Sequence, residues 1–244
     1  MSTGMTRPSI DELPRYNARE RRVLGVLIEK GKTTPDYYPM TLVGLVTGCN
    51  QKSNRDPVVS YVEEDVEDTL LDLRDKQSAI KVEGVGRVPK FKHNLYERWG
   101  VSKAEIAVLG ELLLRGPQTE GELRARTERM ESTLVDQNAL QEVLEPLRER
   151  GLVVTLSPPG RKRGVIVSHA FYEDAEMEAL RLKFAGSVDD GDDQVSDRAS
   201  SSGGSSRSEL KVEVDQLKEL VDSLRNRVES LETDLAKLRS DLGA

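Results

Sequence analysis

The sequence has 244 residues, 43 acidic side chains against 36 lysines and arginines, a net charge of −7 and 4% aromatic residues. This length is enough for two small domains and an appendage. The single cysteine excludes an internal disulfide framework, and no apolar run approaches the ~18 residues that a membrane helix needs. The N-terminal stretch also lacks the apolar segment of a secretory signal, so we expect a cytoplasmic protein without membrane contacts.

Shifts in composition and periodicity divide the chain into five segments. They are, in order, a flexible arm (residues 1–14), a first domain (15–99), a second domain (100–185), a linker (186–208) and a coiled coil (209–242). The linker is rich in Ser, Gly and Asp and has almost nothing to bury, which is typical of disorder. Residues 186–244 carry 14 acidic against 8 basic side chains, so the overall acidity neither supports nor excludes nucleic-acid binding.

The first domain shows three amphipathic helices followed by a β-hairpin. Asn17 and Glu20 form a capping box at the start of the first helix. After a short second helix, Ser60 is expected to cap the third helix with an S-x-x-E pattern. Two strands between residues 79 and 92 follow, and this order predicts a winged helix-turn-helix.

The second domain repeats the first. The motif Val-Leu-Gly at 23–25 recurs at 108–110, a shift of 85 residues, whereas His93 recurs as His169, a shift of 76. The second copy has therefore lost about nine residues. We predict that they are missing from the turn around Pro35–Pro39 and from the loop before the third helix.

The coiled coil is predicted from an uninterrupted heptad pattern in which ten of ten core positions are aliphatic. These dimerisation residues are Leu210, Val214, Leu217, Val221, Leu224, Val228, Leu231, Leu235, Leu238 and Leu242. Valine at three of the five a positions with leucine at every d position favours two parallel strands. We therefore expect a parallel homodimer through the tail.

Four stretches carry a resemblance to known proteins: VLGVLIEKGKTTPDYYPMTL, CNQKSNRDPV, RVPKFKH and RGPQTEGELRAR. Through them, residues 15–170 resemble the YceH-like family of bacterial proteins. The resemblance implies tandem winged-helix domains and brings no established activity. The expected fold is thus mainly α with small β wings (α+β): two tandem winged helix-turn-helix domains, a disordered linker and a C-terminal coiled coil.

The residues that could carry chemistry do not form a catalytic or metal-binding pattern. His93 and His169 are the only histidines, and their equivalent places in the two repeats favour a local structural role over a shared metal site. Cys49 has no histidine near it in the sequence, so a buried thiol is expected rather than a nucleophile. Trp99 and Tyr96 are expected to pack between the domains. We therefore expect no enzymatic activity, no metal and no cofactor.

The winged-helix fold suggests DNA binding, but the third helix of the first domain argues against a place in the major groove. Seven acidic residues lie between positions 60 and 76 against Arg74 and Lys76, so a polyanion would repel this helix. The basic residues lie in the wings and in the loop before the third helix. The predicted nucleic-acid or partner contacts are Lys52, Arg55, Arg87, Lys90, Lys92, Arg161, Lys162 and Arg163.

Two functions from different classes remain open. The first is a non-enzymatic DNA-binding or regulatory protein that uses its wings and the Lys52–Arg55 loop and dimerises through its tail. The second is an adaptor that presents acidic winged-helix surfaces to a protein partner and binds no DNA. Fold analogy favours the first function. Residues 50–55 are accordingly either a binding surface or a brace for the neighbouring helices.

Overall fold

The structure is a computed structural model that describes residues 7–83, 88–161 and 163–185. These residues form an α+β fold in which helices predominate over two small antiparallel sheets. The expected α+β class is confirmed at this level. All of the described residues belong to one unit of the chain, residues 1–190.

Residues 7–99 hold the first structural repeat. Its helices are α1 (Ala18–Thr33), α2 (Leu42–Cys49), α3 (Glu63–Asp75) and α4 (Leu95–Trp99), with 3-10 turns at Ile10–Glu12 and Pro35–Tyr37. Its strands are β1 (Met40–Thr41), β2 (Ala79–Val82) and β3 (Lys90–His93). The predicted capping box explains where α1 begins, because the Asn17 N–H donates to the Glu20 carboxylate at 2.7 Å and the Glu20 N–H donates to the Asn17 side chain at 3.0 Å.

The second structural repeat has the same order of elements. Its helices are α5 (Lys103–Arg115), α6 (Glu120–Thr127), α7 (Gln137–Glu149) and α8 (Asp174–Ala185). Its strands are β4 (Gln118–Thr119), β5 (Val153–Thr155) and β6 (Ile166–His169). Ser102 and Glu105 form the equivalent capping box at the start of α5.

The two sheets share one strand order. The first sheet is ordered β1-β3-β2 and the second β4-β6-β5, with all neighbours antiparallel. The two-residue strands β1 and β4, which the sequence did not predict, pair with the last strand of each hairpin. Met40 stands opposite Phe91, and Gln118 stands opposite Val167. The repeats therefore agree in sheet topology as well as in helix order.

The second repeat is shorter in two connections. Eight residues separate α1 from α2 and four separate α5 from α6, while thirteen separate α2 from α3 and nine separate α6 from α7. The missing residues thus come from the two places that the sequence indicated. The longer α2–α3 connection, residues 50–62, contains the polar loop of the first repeat.

The predicted cap at Ser60 is wrong. The helix α3 begins at Glu63, and the residue before it is Val62. The Val62 N–H donates to the Asp65 carboxylate at 3.1 Å, so a side chain within the first turn satisfies the backbone donor.

The first helices of the two repeats, α1 and α5, pack against each other in the core. Two glycines permit their close approach. A Cβ at Gly25 would lie 2.8 Å from the Leu114 side chain, and a Cβ at Gly110 would lie 2.6 Å from the Ile28 side chain. The glycine of the repeated Val-Leu-Gly motif therefore allows α1 and α5 to pack closely in both copies.

An aromatic cluster joins the two repeats. Trp99 is fully buried and stacks on Phe171 with ring centroids 4.5 Å apart. The Tyr16 ring lies 5.6 Å from Phe171, and the Tyr16 hydroxyl is 2.6 Å from the Ser78 hydroxyl. Trp99 thus packs as expected, whereas Tyr96 is 40% exposed.

The described part of the predicted flexible arm, residues 7–14, packs on the rest of the unit. Leu13 is 6% exposed, and Arg7 forms a 3.0 Å ion pair with Glu105. The composition of this short stretch did not reveal these contacts. Residues 1–6 and the predicted linker and coiled coil, residues 186–242, lie outside the described residues. None of the described helices is both long enough and apolar enough to cross a bilayer.

Candidate functional site

The solvent face of α3 is strongly acidic. Val66, Leu70 and Leu73 turn inward and are at most 1% exposed. The opposite face exposes six carboxylates: Glu63, Glu64, Glu67, Asp68, Asp72 and Asp75. Within the described parts of the chain, Asp65 is the only α3 acid in an ion pair, 3.1 Å from Arg19. The six exposed carboxylates therefore form no ion pair with any described residue.

An apolar residue lies within this acidic face. Leu71 is 50% exposed, and it stands one helical turn from Glu67, Asp68 and Asp75. We call Leu71 and the six exposed carboxylates the α3 face. An apolar centre with a charged rim is a common composition for a protein-interaction surface.

The equivalent helix of the second repeat, α7, differs in charge. Its exposed acids are Glu142, Glu145 and Glu149. Its one arginine, Arg148, forms an ion pair with Glu120 of α6 and lies 4.0 Å from Glu145. Glu120 also accepts a hydrogen bond from Gln141 at 2.7 Å. The helix α7 thus exposes three acids where α3 exposes six, and one of the three, Glu145, lies near Arg148.

Three of the basic residues predicted as contacts are exposed in the first repeat: Lys52, Lys90 and Lys92. Lys90 and Lys92 alternate along β3 with Phe91, which is 8% exposed and faces the core. The two lysines therefore share the outer face of the first sheet, opposite Val82 and Ile80 of β2. Arg87 lies outside the described residues.

The second hairpin carries the remaining predicted contacts. Arg163 is exposed and Arg161 is partly exposed. The Arg161 Nε donates to the Arg163 carbonyl oxygen at 2.9 Å, so part of this guanidinium supports the turn itself. Lys162, between them, lies outside the described residues.

Arg55 was expected at the surface of the loop, but it lies inside the protein. The residue is 4% exposed, and its guanidinium donates to both carboxylate oxygens of Glu29, at 3.2 and 2.5 Å. Its Nε donates to the Gly48 carbonyl oxygen at 3.0 Å. A nucleic acid cannot reach a guanidinium enclosed in this way, so the prediction of Arg55 as a contact is corrected. Its charge serves the fold.

Glu29 is the centre of a buried charge network between the repeats. It is 2% exposed on α1 and also pairs with Arg129, which lies after α6. Arg129 in turn lies 2.8 Å from Glu111 of α5. Burial favours a raised pKa for Glu29, but hydrogen bonds and charge from Arg55, followed by those of Arg129, hold its pKa below the ordinary value. Glu29 is therefore ionised at neutral pH, and the network links the loop to both repeats.

Other residues of the polar loop also make structural contacts. The Asn50 side chain forms two 2.8 Å hydrogen bonds with the backbone of Tyr61, which closes the loop. The Asn54 side chain accepts from Arg115 of α5 at 2.9 Å, and the Asp56 N–H donates to the Leu114 carbonyl oxygen at 3.0 Å. Of the two interpretations left open for residues 50–55, these contacts favour the brace, while Lys52 and Ser53 stay exposed.

The two histidines make the same local hydrogen bond. The His93 Nδ1 accepts from the Leu95 N–H at 3.3 Å, and the His169 Nδ1 accepts from the Phe171 N–H at 3.2 Å. Burial, followed by the charges of Lys32 and Lys92, lowers the pKa of His93 to about 4. Burial also lowers the pKa of His169 well below the ordinary value. Both rings are therefore neutral at pH 7, and each shapes the chain after its hairpin.

Cys49 is fully buried, and burial raises the pKa of its thiol to about 12. A thiol with this pKa is protonated and unreactive at neutral pH. Within the described ranges of the chain, no group of three or more His, Cys, Asp and Glu side chains could hold a metal ion.

These features define a class of protein: an α+β chain built from two like repeats that differ in surface charge. Residues 16–161 match the model of the family described as "Protein of unknown function, DUF480". The match covers more than half of the 244 residues, and the chain therefore belongs to the DUF480 family of bacterial proteins.

Individual relatives agree with this assignment. A UPF0502 protein of Rhodopirellula baltica is 49% identical over 160 residues, which are 66% of each chain. A UPF0502 protein of Geobacter sulfurreducens is 54% identical over 149 residues, 60% of this chain and 68% of that protein. A UPF0502 protein of Solibacter usitatus is 50% identical over 140 residues, 57% of this chain and 68% of that protein. The chain thus spans about two thirds of the length of these curated relatives.

Proposed function

We propose that each repeat is a winged helix-turn-helix and that the chain is a tandem winged-helix protein. In each repeat, three helices precede a hairpin, and a short strand before the second helix completes the sheet. In this assignment α2 with α3, and α6 with α7, form the helix-turn-helix pairs. The resemblance to the YceH-like family supports the same assignment.

We infer that the protein is non-enzymatic and binds a protein partner through the α3 face in the cytoplasm. The observation that carries this inference is the set of six exposed carboxylates of the α3 face, none in an ion pair with a described residue, together with the exposed Leu71. A DNA duplex presents one negative charge per about 1.7 Å of its axis, so it would repel α3 from the groove that a recognition helix occupies. A partner helix with lysines or arginines around an apolar residue would match both the charge and the apolar centre.

Charge reversal on α3 and on α7 provides a matched test. The α3 variant combines Glu67→Lys, Asp68→Lys and Asp72→Lys; the control variant combines Glu142→Lys, Glu145→Lys and Glu149→Lys on α7. The full chain is titrated with a fluorescent amphipathic peptide of leucine and lysine, and binding is measured by anisotropy. We expect the α3 variant to bind at least about tenfold more weakly and the α7 variant to change less. Equal losses of peptide affinity in the α3 and α7 variants would show non-specific electrostatic attraction and would contradict a binding site on α3.

A second candidate function is duplex binding through the hairpins. Lys90 and Lys92 on the outer face of the first sheet, with exposed Lys52, favour it. Binding should then weaken steeply with salt, by about 0.9 in the log–log slope for each neutralised phosphate. Lys90→Glu with Lys92→Glu should lower the affinity for all duplex sequences alike. An unchanged affinity in that variant would remove this candidate.

We further propose that the tail makes the protein a parallel homodimer, on the heptad pattern of residues 209–242 alone. Deleting residues 209–244 should give a folded monomer, and any affinity for a repeated target should fall through lost avidity. Sedimentation of the two forms at micromolar concentration tests this proposal. A full-length chain that sediments as a monomer would contradict it.

A further inference from the structure

A cavity of about 260 Å³ lies between the two repeats, and its described lining contains no residue of the α3 face. It is bounded by α1, by the loop at residues 56–61, by the end of α5 and by α8. Its polar lining includes Arg21, Arg22 and Arg115, and its apolar lining includes Leu113 and Leu180. Three guanidinium groups around one small cavity suggest a role for negative charge within it.

Of the three arginines that line this cavity, Arg22 is the one that pairs with no acid in the described part of the chain. The residue is 3% exposed, and its Nη2 donates to the Pro57 carbonyl oxygen at 2.5 Å. Its Nη1 is buried and has no hydrogen-bond partner within the described chain. Arg22 also forms no ion pair with any described residue. Burial lowers the pKa of Arg22, and the charge of Arg55 lowers it further, so the surroundings oppose its charge.

The other two guanidiniums are already compensated. Arg21 lies 2.5 Å from Glu176 and stands over the Tyr172 ring at 4.5 Å. Arg115 lies 3.1 Å from Glu111. One further acid, Asp56, lines the cavity; it is exposed and makes no ion pair with a described residue, although its charge favours the cationic form of Arg22. Among the described arginines that line the cavity, Arg22 is therefore the buried one that has no ion-pair partner.

A guanidinium stays protonated in proteins, and a buried cation without a counter-charge is destabilising. An oxyanion that accepts a hydrogen bond from Nη1 would satisfy both the donor and the charge. We propose that this cavity binds a small molecule carrying one carboxylate or phosphate group, and that Arg22 receives that group. Leu113, Leu180 and the Tyr61 ring also line the cavity and would enclose an apolar part of the ligand. The volume lies just below the range of about 300–1,000 Å³ of common ligand sites, so the ligand is small.

Calorimetric titration of the full chain with sodium benzoate tests this proposal. Benzamide is the matched neutral probe, and inorganic phosphate tells whether an oxyanion alone is enough. We expect benzoate to bind saturably and at least about tenfold more tightly than benzamide, because a hydrogen bond between two charged groups is stronger than one to a neutral acceptor. Saturable binding of phosphate would assign the site to phosphorylated ligands as well.

Two variants assign the binding to the cavity. Arg22→Gln should weaken benzoate binding at least about tenfold, whereas Arg124→Gln, a partly exposed arginine outside the cavity, should not change it. Leu180→Trp keeps every charge but fills part of the cavity, so it should weaken binding as well. If Arg22→Gln does not fold, Leu180→Trp alone tests whether benzoate binds in the cavity.

Two results would overturn the proposal. The first is the absence of saturable binding of both benzoate and phosphate with a Kd below about 10 mM. The second is benzoate binding that persists unchanged in Arg22→Gln or, where that variant does not fold, in Leu180→Trp. Because none of these variants touches the α3 face, their outcome is separate from that of the proposed partner binding.

Discussion

The two repeats share their topology and differ in how they use charge. The first repeat exposes six carboxylates on α3 that form no ion pair in the described part of the chain, and it encloses Arg55 in its longer loop. In the second repeat, Arg148 of α7 pairs with a neighbouring helix. Their cores are alike, as the reciprocal contacts of Gly25 and Gly110 show. The shared fold therefore depends on core packing that both repeats retain. The differences that could give each repeat its own function lie on the surface and in the loops.

The largest expected effect concerns the loop that only the first repeat has at full length. Arg55→Ala leaves Glu29 buried without the partner that contacts both of its carboxylate oxygens, and such a loss costs about 3–5 kcal/mol in the free energy of unfolding. Urea denaturation measures it. The neighbouring exposed residue provides the control, since Lys52→Ala should stay within about 0.5 kcal/mol. A loss below about 1 kcal/mol in Arg55→Ala would show that the loop does not brace the repeats.

The equivalent histidines should make stability depend on pH in the same direction. Their folded pKa values lie below the ordinary value of about 6.5, so the unfolded chain binds more protons between about pH 6 and pH 4.5. Stability is therefore complete above pH 7 and is lost as the pH falls. Each histidine should contribute a slope of up to about 1.4 kcal/mol per pH unit in this window.

Single replacements separate the two histidines. Asparagine keeps an acceptor near the position of Nδ1. His93→Asn and His169→Asn should therefore each remove one titrating group and reduce the slope by up to about 1.4 kcal/mol per pH unit. Denaturation curves at several pH values give the slope. An undiminished slope in either variant would contradict this assignment, because Glu29, whose depressed pKa makes stability fall only at a lower pH, does not supply a slope in this window.

Gly25 and Gly110 should differ modestly in how much an alanine at each position lowers the free energy of unfolding. In Gly110→Ala the new methyl group meets the β-branched Ile28, and we expect a net loss of about 1–2 kcal/mol. Gly25→Ala should cost less, because the Leu114 side chain that it meets can change rotamer. Gly121→Ala is the control: nothing lies within 4 Å of its Cβ position, so a gain of up to about 0.5 kcal/mol is expected. Equal costs for Gly25 and Gly110 would contradict this account of the contact.

The smallest expected effect compares the surfaces of the two third helices. Asp68 lies four residues from both Glu64 and Asp72, so Asp68→Asn should raise the free energy of unfolding by about 0.5 kcal/mol at low salt. The gain should vanish near 1 M salt, where the Debye length is about 3 Å. Glu145→Gln on α7 should change little, because Glu145 also lies near Arg148. A gain in Asp68→Asn that salt does not reduce would exclude electrostatic repulsion as its cause.

Local sequence patterns were enough to predict most of the helices and hairpins. The capping box at Asn17 depends on residues three apart and was placed correctly, and the box that Ser102 forms with Glu105 has the same spacing. The strands β1 and β4 have two residues each, which is too short for any periodicity. The place of Arg55 was not predictable from its polar neighbours, because it depends on Glu29, 26 residues earlier in the chain.

The sequence indicates the buried charged residues less clearly than the helices. Glu29 and Arg22 belong to a helix whose apolar residues cover more than one face, which is typical of a helix enclosed on all sides. That pattern places charged side chains in the interior but does not name their partners. The 100 residues between Glu29 and Arg129 bring in the second repeat, and only the packing of α1 on α5 closes that distance.

The most direct test of the central claim is the change in duplex affinity when α3 loses its negative charge. Wild type and the Glu67→Lys, Asp68→Lys, Asp72→Lys variant are titrated with a mixed-sequence duplex at about 50 mM salt. If the α3 face excludes DNA, the wild type binds no more tightly than about 100 µM and the variant gains affinity. Micromolar binding by the wild type that the same reversal weakens would place α3 against the duplex and contradict the account.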